Sequence, residues 1–176
     1  MRPLAFVDIE TTGSGPQFDA ITEIGMVLID EDGAHEWSAL LNPGMHIPPS
    51  IENLTGISNE MVAGAPRFAE LAPQIYDLLA GRIFLAHNAR FDYGFIKQAF
   101  QREGYEFRAT TLCTVKLSRM LYPEHRHHNL DALIARHSLQ VDQRHRALGD
   151  ARLIHQFWQL ASEGSRAGAF EAAVKL

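Results

Sequence analysis

The chain has 176 residues, of which 46% are hydrophobic and 21% charged, and its formal net charge is −5. These values are ordinary for one domain with a real core, and no apolar run approaches the roughly 20 residues that a membrane-spanning helix needs. An acidic chain does not hold nucleic acid mainly by neutralising phosphates, although a protein that offsets its acids with metal ions is compatible with this charge.

The single cysteine, Cys113, cannot form an intrachain disulfide, and the N-terminus lacks the basic-then-apolar pattern of a secretion signal. A reducing, cytoplasmic location without a membrane partner is therefore expected. No linker, repeat or low-complexity tract divides the sequence. We expect one domain over residues 1–162, and a short C-terminal tail over 163–176 that is the start of a linker or a trimmed end.

The predicted elements begin with three strands and continue with alternating helices and strands. Apolar runs and alternating patterns predict a strand from Leu4 to the turn at 11–13, and further strands at 21–30, 34–41, 82–86 and 110–113. Helical spacing predicts helices at 67–79, 89–102, 115–121, 129–137 and 146–161, with shorter helical turns at 50–57, 58–61 and 170–176. Asn88 is expected to cap the helix that follows it. This order predicts an α/β fold, a mixed five-stranded sheet flanked by helices.

The first strand carries two carboxylates. Side chains alternate between the faces of a strand, so Asp8 and Glu10 point the same way while Ile9 points into the opposite layer. The Thr-Thr-Gly turn at 11–13 leaves both acids at the end of the strand. Like charges held side by side repel, and a fold tolerates them when a cation lies between them. The alternative is an edge strand with a solvated acidic face.

Three more residues can complete this pair. Asp92 and Asp150 lie in the first turns of two helices, and His145 lies on the loop before Asp150. Each also has a purely structural interpretation. Asp92 and Asp150 could serve just to stabilise the ends of their helices, and His145 could be one surface imidazole among the nine histidines. Together, four carboxylates offer the oxygen ligands that Mg²⁺ or Mn²⁺ select, and an imidazole with a pKa near ~6.5 can take a proton from water at neutral pH. This is the arrangement of two-metal phosphodiester hydrolysis.

Three ordered segments resemble the DEDDh group of 3′–5′ exonucleases, whose fold is ribonuclease H-like. They are Val-Asp-Ile-Glu-Thr-Thr-Gly at 7–13, His-Asn-Ala-Arg-Phe-Asp at 87–92 and His-Arg-Ala-Leu-Gly-Asp-Ala at 145–151. A fourth similarity joins Ile-Pro-Pro at 47–49 to Leu-Thr-Gly-Ile at 54–57. Within the group, the sequence resembles most the epsilon proofreading subunit of bacterial DNA polymerase III.

The resemblance implies a role for each matching residue. Four acids would hold two divalent cations, Mg²⁺ or Mn²⁺: Asp8, which is the shared ligand, Glu10, Asp92 and Asp150. His145 would be the general base. The residues expected to contact the substrate are Thr11 and Thr12 at its 3′ end, Ile51, Leu54 and Thr55 near its base and sugar, and His87 and Asn88 at the border of the site.

The implied activity is removal of nucleoside 5′-monophosphates from single-stranded or frayed DNA 3′ ends, as in proofreading. The motifs leave open an exoribonuclease that trims RNA 3′ ends and resembles RNase T or oligoribonuclease, and also a non-catalytic interaction module that retains the fold. A DNA polymerase catalytic subunit is a candidate partner, although the sequence after Leu160 lacks the tail by which the epsilon subunit binds its polymerase.

Overall fold

The computed structural model describes residues 2–174. Its strands are β1 (Leu4–Thr11), β2 (Ile21–Asp30), β3 (Gly33–Leu40), β4 (Ile83–Ala86) and β5 (Thr111–Cys113). Its helices are α1 (Pro49–Thr55), α2 (Asn59–Ala63), α3 (Phe68–Leu79), α4 (Ala89–Arg102), α5 (Thr114–Leu121), α6 (Leu130–His137), α7 (Ala147–Glu163) and α8 (Ala167–Val174). Across these residues, no helix combines the length and the apolar character needed to cross a bilayer.

The five strands form one mixed sheet, as predicted, and their order in it is β3-β2-β1-β4-β5. β1, β2 and β3 pair antiparallel, whereas β1, β4 and β5 run parallel. β4 pairs with β1 only from Leu4 to Phe6, while β1 continues beside β2 as far as Thr11. The backbone of β1 beyond Phe6 is therefore open on the side of β4.

The side chains of β1 alternate between two apolar layers. Val7 and Ile9 belong to a buried cluster that includes residues of α3 and α4, whereas Leu4 and Phe6 pack with α5, α6, α7 and α8. The period of two places the next even-numbered residue, Asp8, on the α7 side. This confirms the predicted α/β architecture and shows why the first acids face the last long helix.

The C-terminal segment predicted as a tail contains α8. Phe170 is buried there and packs edge-on against Trp158 of α7, with 4.7 Å between ring centroids. A buried aromatic side chain provides a large apolar contact. Phe170 therefore holds α8, whose other residues are mostly small, against the domain. The division of the chain at residue 162 stays a prediction, and residues 175 and 176 lie outside the described range.

The start of α7 packs directly onto β2 at a glycine. A Cβ atom placed on Gly25 would lie 2.2 Å from the backbone nitrogen of Leu148 and 2.3 Å from the carbonyl carbon of Ala147. Both are main-chain atoms that cannot rotate away. The absence of a side chain at Gly25 therefore lets α7 approach the sheet closely.

Replacing Gly25 with alanine is expected to lower the free energy of unfolding by about 1–3 kcal/mol or more, because the added methyl group overpacks a contact between two backbones. Urea unfolding followed by circular dichroism measures this difference. Gly94→Ala is the matched control, since its Cβ would meet nothing within 4 Å inside α4 and should stabilise the helix by about 0.5–1 kcal/mol. Equal stability of Gly25→Ala and the unmodified protein would contradict the packing argument.

Candidate active site

Carboxylates from β1 and α7 meet at the open end of β1. One oxygen from each of Asp8, Glu10 and Asp150 lies within 4.8 Å of the others. The first two project from one face of β1, and the third comes from the first turn of α7, which packs on that face. The predicted convergence of these three acids is therefore observed.

Asp92 reaches β1 from the other side. It is only 3% exposed, and its carboxylate accepts a hydrogen bond from the backbone N–H of Ile9. That N–H is available because β4 has already ended and no longer pairs with this part of β1. The first turn of α4, which follows β4, thus places a fourth acid against the backbone between Asp8 and Glu10.

Burial and mutual repulsion hold protons on these acids. Burial raises the pKa of Asp8 well above its usual range, and the charges of the other three acids raise it further. The pKa of Glu10 is raised to about 8, first by burial and then by the charge of Asp150. Burial likewise raises the pKa of Asp92 to about 8. Four carboxylates of this kind cannot all ionise together unless positive charge is supplied.

The donor set fits hard divalent cations. The oxygen Oδ1 of Asp150 is buried and has no hydrogen-bond partner among the described residues, while Oδ2 accepts from Arg144. A buried carboxylate oxygen without a partner is costly in the folded state. A cation that prefers oxygen ligands would satisfy this atom together with the neighbouring acids.

Glu23 of β2 fixes the start of α7. Its carboxylate accepts a 2.7 Å hydrogen bond from the backbone N–H of Ala147 and a 2.6 Å bond from Nη2 of Arg146. Glu23 is 5% exposed, so it caps the helix from within the fold and complements the helix dipole. Sequence reasoning missed this residue, although an acid within an apolar strand was a usable signal.

His145 lies on the approach to this helix start, in a left-handed conformation with φ of 57°. Burial raises the pKa of Asp150, and the charges of Arg144 and His145 lower it again. His145 is half-buried and lies near enough to Asp150 for its charge to act on that carboxylate. The structure therefore places the predicted base beside one predicted ligand and within reach of solvent.

His87 and Asn88 have structural explanations that differ from those expected. Both ring nitrogens of His87 are engaged: Nδ1 lies 2.9 Å from Oγ1 of Thr114, and Nε2 lies 2.9 Å from the carbonyl oxygen of His128. Because a carbonyl only accepts, Nε2 carries the proton, and His87 braces the loop before α6. The prediction that Asn88 caps α4 is wrong: its side chain makes no capping bond, and φ is 78°. Asparagine suits this position because it tolerates the left-handed conformation.

The two threonines after Glu10 stabilise the turn. Thr11 Oγ1 donates to the carbonyl oxygen of Gly13, and Thr12 Oγ1 donates to Oδ1 of Asp19. The backbone N–H of Thr12 donates to the carbonyl oxygen of Ala20. These bonds hold the turn rigid at the end of β1, so contact with a substrate here stays a prediction.

The remaining predicted substrate residues lie on α1, which follows a loop that touches the turn. Oγ1 of Thr12 and Sδ of Met45 in this loop are 3.5 Å apart. Leu54 is 54% exposed, whereas Thr55 is buried. The hydroxyl of Thr55 donates to the carbonyl oxygen of Ile51. Leu54 is therefore the one of these three side chains that is most open to a ligand.

The chain is similar to known exonucleases over most of its length. The model of the exonuclease family RNase_T matches residues 5–157. The 3′-5′ exonuclease DinG of Bacillus subtilis (strain 168) is 39% identical over 150 residues, which are 84% of this chain and 16% of DinG. The PolC-type DNA polymerase III of Clostridium perfringens is 37% identical over 147 residues, which are 82% of this chain and 10% of that polymerase.

Among solved structures, E. coli exonuclease I in complex with a dA16 oligonucleotide has a TM-score of 0.86 and 17% identity, covering 99% of this chain and 43% of that one. At 17% identity, this similarity shows a shared fold and does not by itself show a shared function. The chain spans less than a fifth of the two curated relatives, at 16% and 10% of their lengths. The particular likeness to the epsilon subunit stays a prediction. Because the family model matches residues 5–157, which are most of the chain, this chain belongs to the RNase_T exonuclease family.

Proposed function

We propose that this chain is a two-metal-dependent 3′–5′ exonuclease that removes nucleoside 5′-monophosphates from DNA 3′ ends. The observation that carries the proposal is the convergence of four poorly solvated acids, three of them within 4.8 Å. Such a cluster is unfavourable as a purely structural feature, because each acid raises the cost of ionising its neighbours. It becomes favourable when cations bind.

The residues that would hold two divalent cations, Mg²⁺ or Mn²⁺, are Asp8, Glu10, Asp92 and Asp150. The chemistry that such cations would supply there is activation of an attacking water and stabilisation of the leaving oxygen of a phosphodiester. The pKa of Asp8 is raised by burial and by the charges of all three other acids. This central position supports Asp8 as the ligand that both cations share.

His145 would take the proton from the attacking water. Its imidazole lies near Asp150 and is half-exposed, so it can pass the proton on to solvent. The left-handed backbone at His145 and the capping of α7 by Glu23 fix the loop from which the imidazole projects. His145 therefore acts from a rigid support, as positioned proton transfer requires.

A basic groove of about 900 Å³ supports a nucleic-acid strand as the substrate. It runs along the free edge of β5, between α4, α5 and α8, and Tyr93 and Trp158 line it. Its described lining contains three cations, Arg90, Lys97 and Lys116, and no acidic residue. In a chain of net charge −5, an acid-free groove with aromatic walls favours a single nucleic-acid strand, whose phosphates and bases it matches.

A smaller cavity adjoins the groove near the turn after β1. Pro16, Asn88 and Arg90 line both, and the smaller cavity also includes Ser14 of that turn. A strand whose 3′ end lies at the acids would pass this cavity and Asn88 on its way to Lys97 and Lys116. We propose this route for the nucleotides upstream of the scissile bond.

DNA as substrate is supported by the names of the relatives, which include a DNA polymerase, and by the oligonucleotide bound to exonuclease I. A proofreading role, a polymerase catalytic subunit as partner and a cytoplasmic location are parts of the same proposal. Comparing turnover of matched DNA and RNA oligonucleotides tests the substrate directly. Preferred cleavage of RNA would favour the exoribonuclease alternative instead.

Asp8→Asn and Asp150→Asn are expected to abolish nucleotide release from a 5′-labelled oligonucleotide in Mn²⁺, because each removes a cation ligand. His145→Gln should lower kcat by about 10²–10⁴-fold, the usual contribution of a positioned general base. His127→Gln, which replaces an exposed histidine, is the matched control and should leave kcat unchanged. Turnover of Asp8→Asn at the wild-type rate, with its fold intact by circular dichroism, would remove the metal assignment.

The pKa values of about 8 for Glu10 and Asp92 predict a pH dependence of the metal-free protein. Their ordinary values are 4.5 and 3.8, so between these values and about pH 8 the folded state binds more protons than the unfolded state. Their contribution to stability is therefore present at low pH and is lost as pH rises towards about 8.

Urea unfolding in EDTA at several pH values measures this loss. The Glu10→Gln, Asp92→Asn double variant isolates the contribution of the two acids, since every other titrating group is shared, and it should lose less stability between pH 5 and pH 8. Saturating Mn²⁺ should reduce the loss in the unmodified protein, because metal binding displaces the protons. Parallel pH curves for the two proteins in EDTA would contradict the raised pKa values.

The Lys97→Ala, Lys116→Ala double variant is expected to raise KM for a long single-stranded oligonucleotide while leaving KM for a dinucleotide unchanged. The salt dependence of long-oligonucleotide binding should also weaken, by a slope of about 0.7 for each lost phosphate contact. Arg108→Ala, at an exposed arginine outside the groove, is the control. Equal effects on long and short substrates would exclude the groove as the strand path.

A further inference from the structure

Arg144 connects the acidic site to the protein surface. It directly precedes His145, and its Nη1 donates to Oδ2 of Asp150. Its Nε donates to Oδ1 of Asp131, on α6, over 2.9 Å. The Asp131 side chain is 69% exposed, whereas that of Asp150 is 7% exposed. One guanidinium therefore bridges a surface carboxylate and a buried site carboxylate.

Arg144 is also the counter-ion of the acidic site in the absence of a metal. Its charge opposes the effect of burial on the pKa values of Asp8, Glu10 and Asp150. The nearby Arg146 also acts on Glu10, but its guanidinium is held by Glu23. Among the described residues, Arg144 is thus the cation that contacts a predicted metal ligand directly.

A guanidinium at this place competes with a divalent cation. The Asp150 oxygen that accepts a hydrogen bond from Arg144 cannot use the same lone pairs for a metal. A guanidinium and a metal ion beside the same carboxylate also repel each other strongly in a poorly solvated site. The other oxygen of Asp150 has no hydrogen-bond partner within residues 2–174, so the carboxylate can begin to bind a metal before the guanidinium leaves. Asp131 then keeps the released guanidinium beside the site rather than free in solvent.

We propose that Arg144 is a movable counter-ion, which neutralises Asp150 without metal, leaves Asp150 when divalent cations bind, and then contacts the phosphate of the bound strand while Asp131 tethers it. The phosphate contact rests on the proposed exonuclease function. A guanidinium suits both partners, because its planar set of donors matches carboxylate and phosphate oxygens equally well. Arg144 would thereby link metal occupancy to substrate binding.

Calorimetric titration with Mn²⁺, without substrate, tests the first step. Arg144→Gln should bind Mn²⁺ about tenfold more tightly than the unmodified protein, because a competing positive charge is gone. Asp131→Asn should bind Mn²⁺ more weakly, because Arg144 loses its other anion and stays on Asp150. Arg152→Gln is the matched control: this α7 arginine also bridges two acids, Glu36 and Asp142, and its loss should change the affinity less than twofold.

Opposite shifts for Arg144→Gln and Asp131→Asn distinguish competition from a merely structural role, which would weaken binding in both variants. Unchanged or weaker Mn²⁺ binding by folded Arg144→Gln would overturn the proposal. Because the titration uses no substrate, this outcome differs from failure of the proposed function, in which the unmodified protein itself would not bind Mn²⁺. Asp131→Asn alters an exposed residue and keeps the test valid if Arg144→Gln does not fold.

Steady-state kinetics at saturating Mn²⁺ tests the second step. Arg144→Gln should raise KM for the oligonucleotide by about tenfold with a smaller effect on kcat, the loss expected for one charge-assisted hydrogen bond to phosphate. Arg144→Lys should recover part of this loss, since it restores the charge without the planar donors. A KM equal to that of the unmodified protein in Arg144→Gln would remove the phosphate contact from the proposal.

Discussion

The repulsion among four carboxylates at one end of the sheet is the constraint on which the rest of the site depends. Two unit charges 4 Å apart cost about 4 kcal/mol at an effective dielectric constant of 20, and the charges of three other acids act on Asp8. The metal-free fold relieves this cost by keeping protons on the acids and by placing Arg144 against Asp150. We propose that a bound divalent cation replaces both the protons and the contact with Arg144. In this proposal the metal-free site is stable enough to fold and still able to bind metal.

The sheet and its helices make this convergence possible through a few backbone features. β1 extends beyond the end of β4, so the N–H of Ile9 is free to donate a hydrogen bond to the carboxylate of Asp92. Gly25 lets the start of α7 pack against β2, and Glu23 caps that start from inside the fold. Asp150 and His145 are thereby placed by groups that take no part in the chemistry. Substitutions at these supports are costly because they move a helix that carries site residues.

Much of the fold was predictable because its signals are local. The alternation around Asp8 and Glu10 and the apolar spacing of the helices need only neighbouring residues, and both predictions are confirmed. The features that the sequence did not reveal depend on distant partners. His87 has a structural role because both of its ring nitrogens hydrogen-bond to distant residues, Thr114 and His128. Asn88 adopts a left-handed conformation instead of capping a helix with its side chain. Glu23 stands out in sequence only as an acid within an apolar strand, and Arg144 does not stand out at all. Both acquire their roles when α6, α7 and β2 meet.

Anomalous diffraction from crystals of the protein soaked in Mn²⁺ locates the ions independently of turnover and is therefore the decisive measurement for this site. We expect two peaks about 3.5–4 Å apart, surrounded by the carboxylates of Asp8, Glu10, Asp92 and Asp150, with the guanidinium of Arg144 displaced from Asp150. Crystals without a peak at these acids, in which Arg144 still bonds to Asp150 at saturating Mn²⁺, would contradict this expectation.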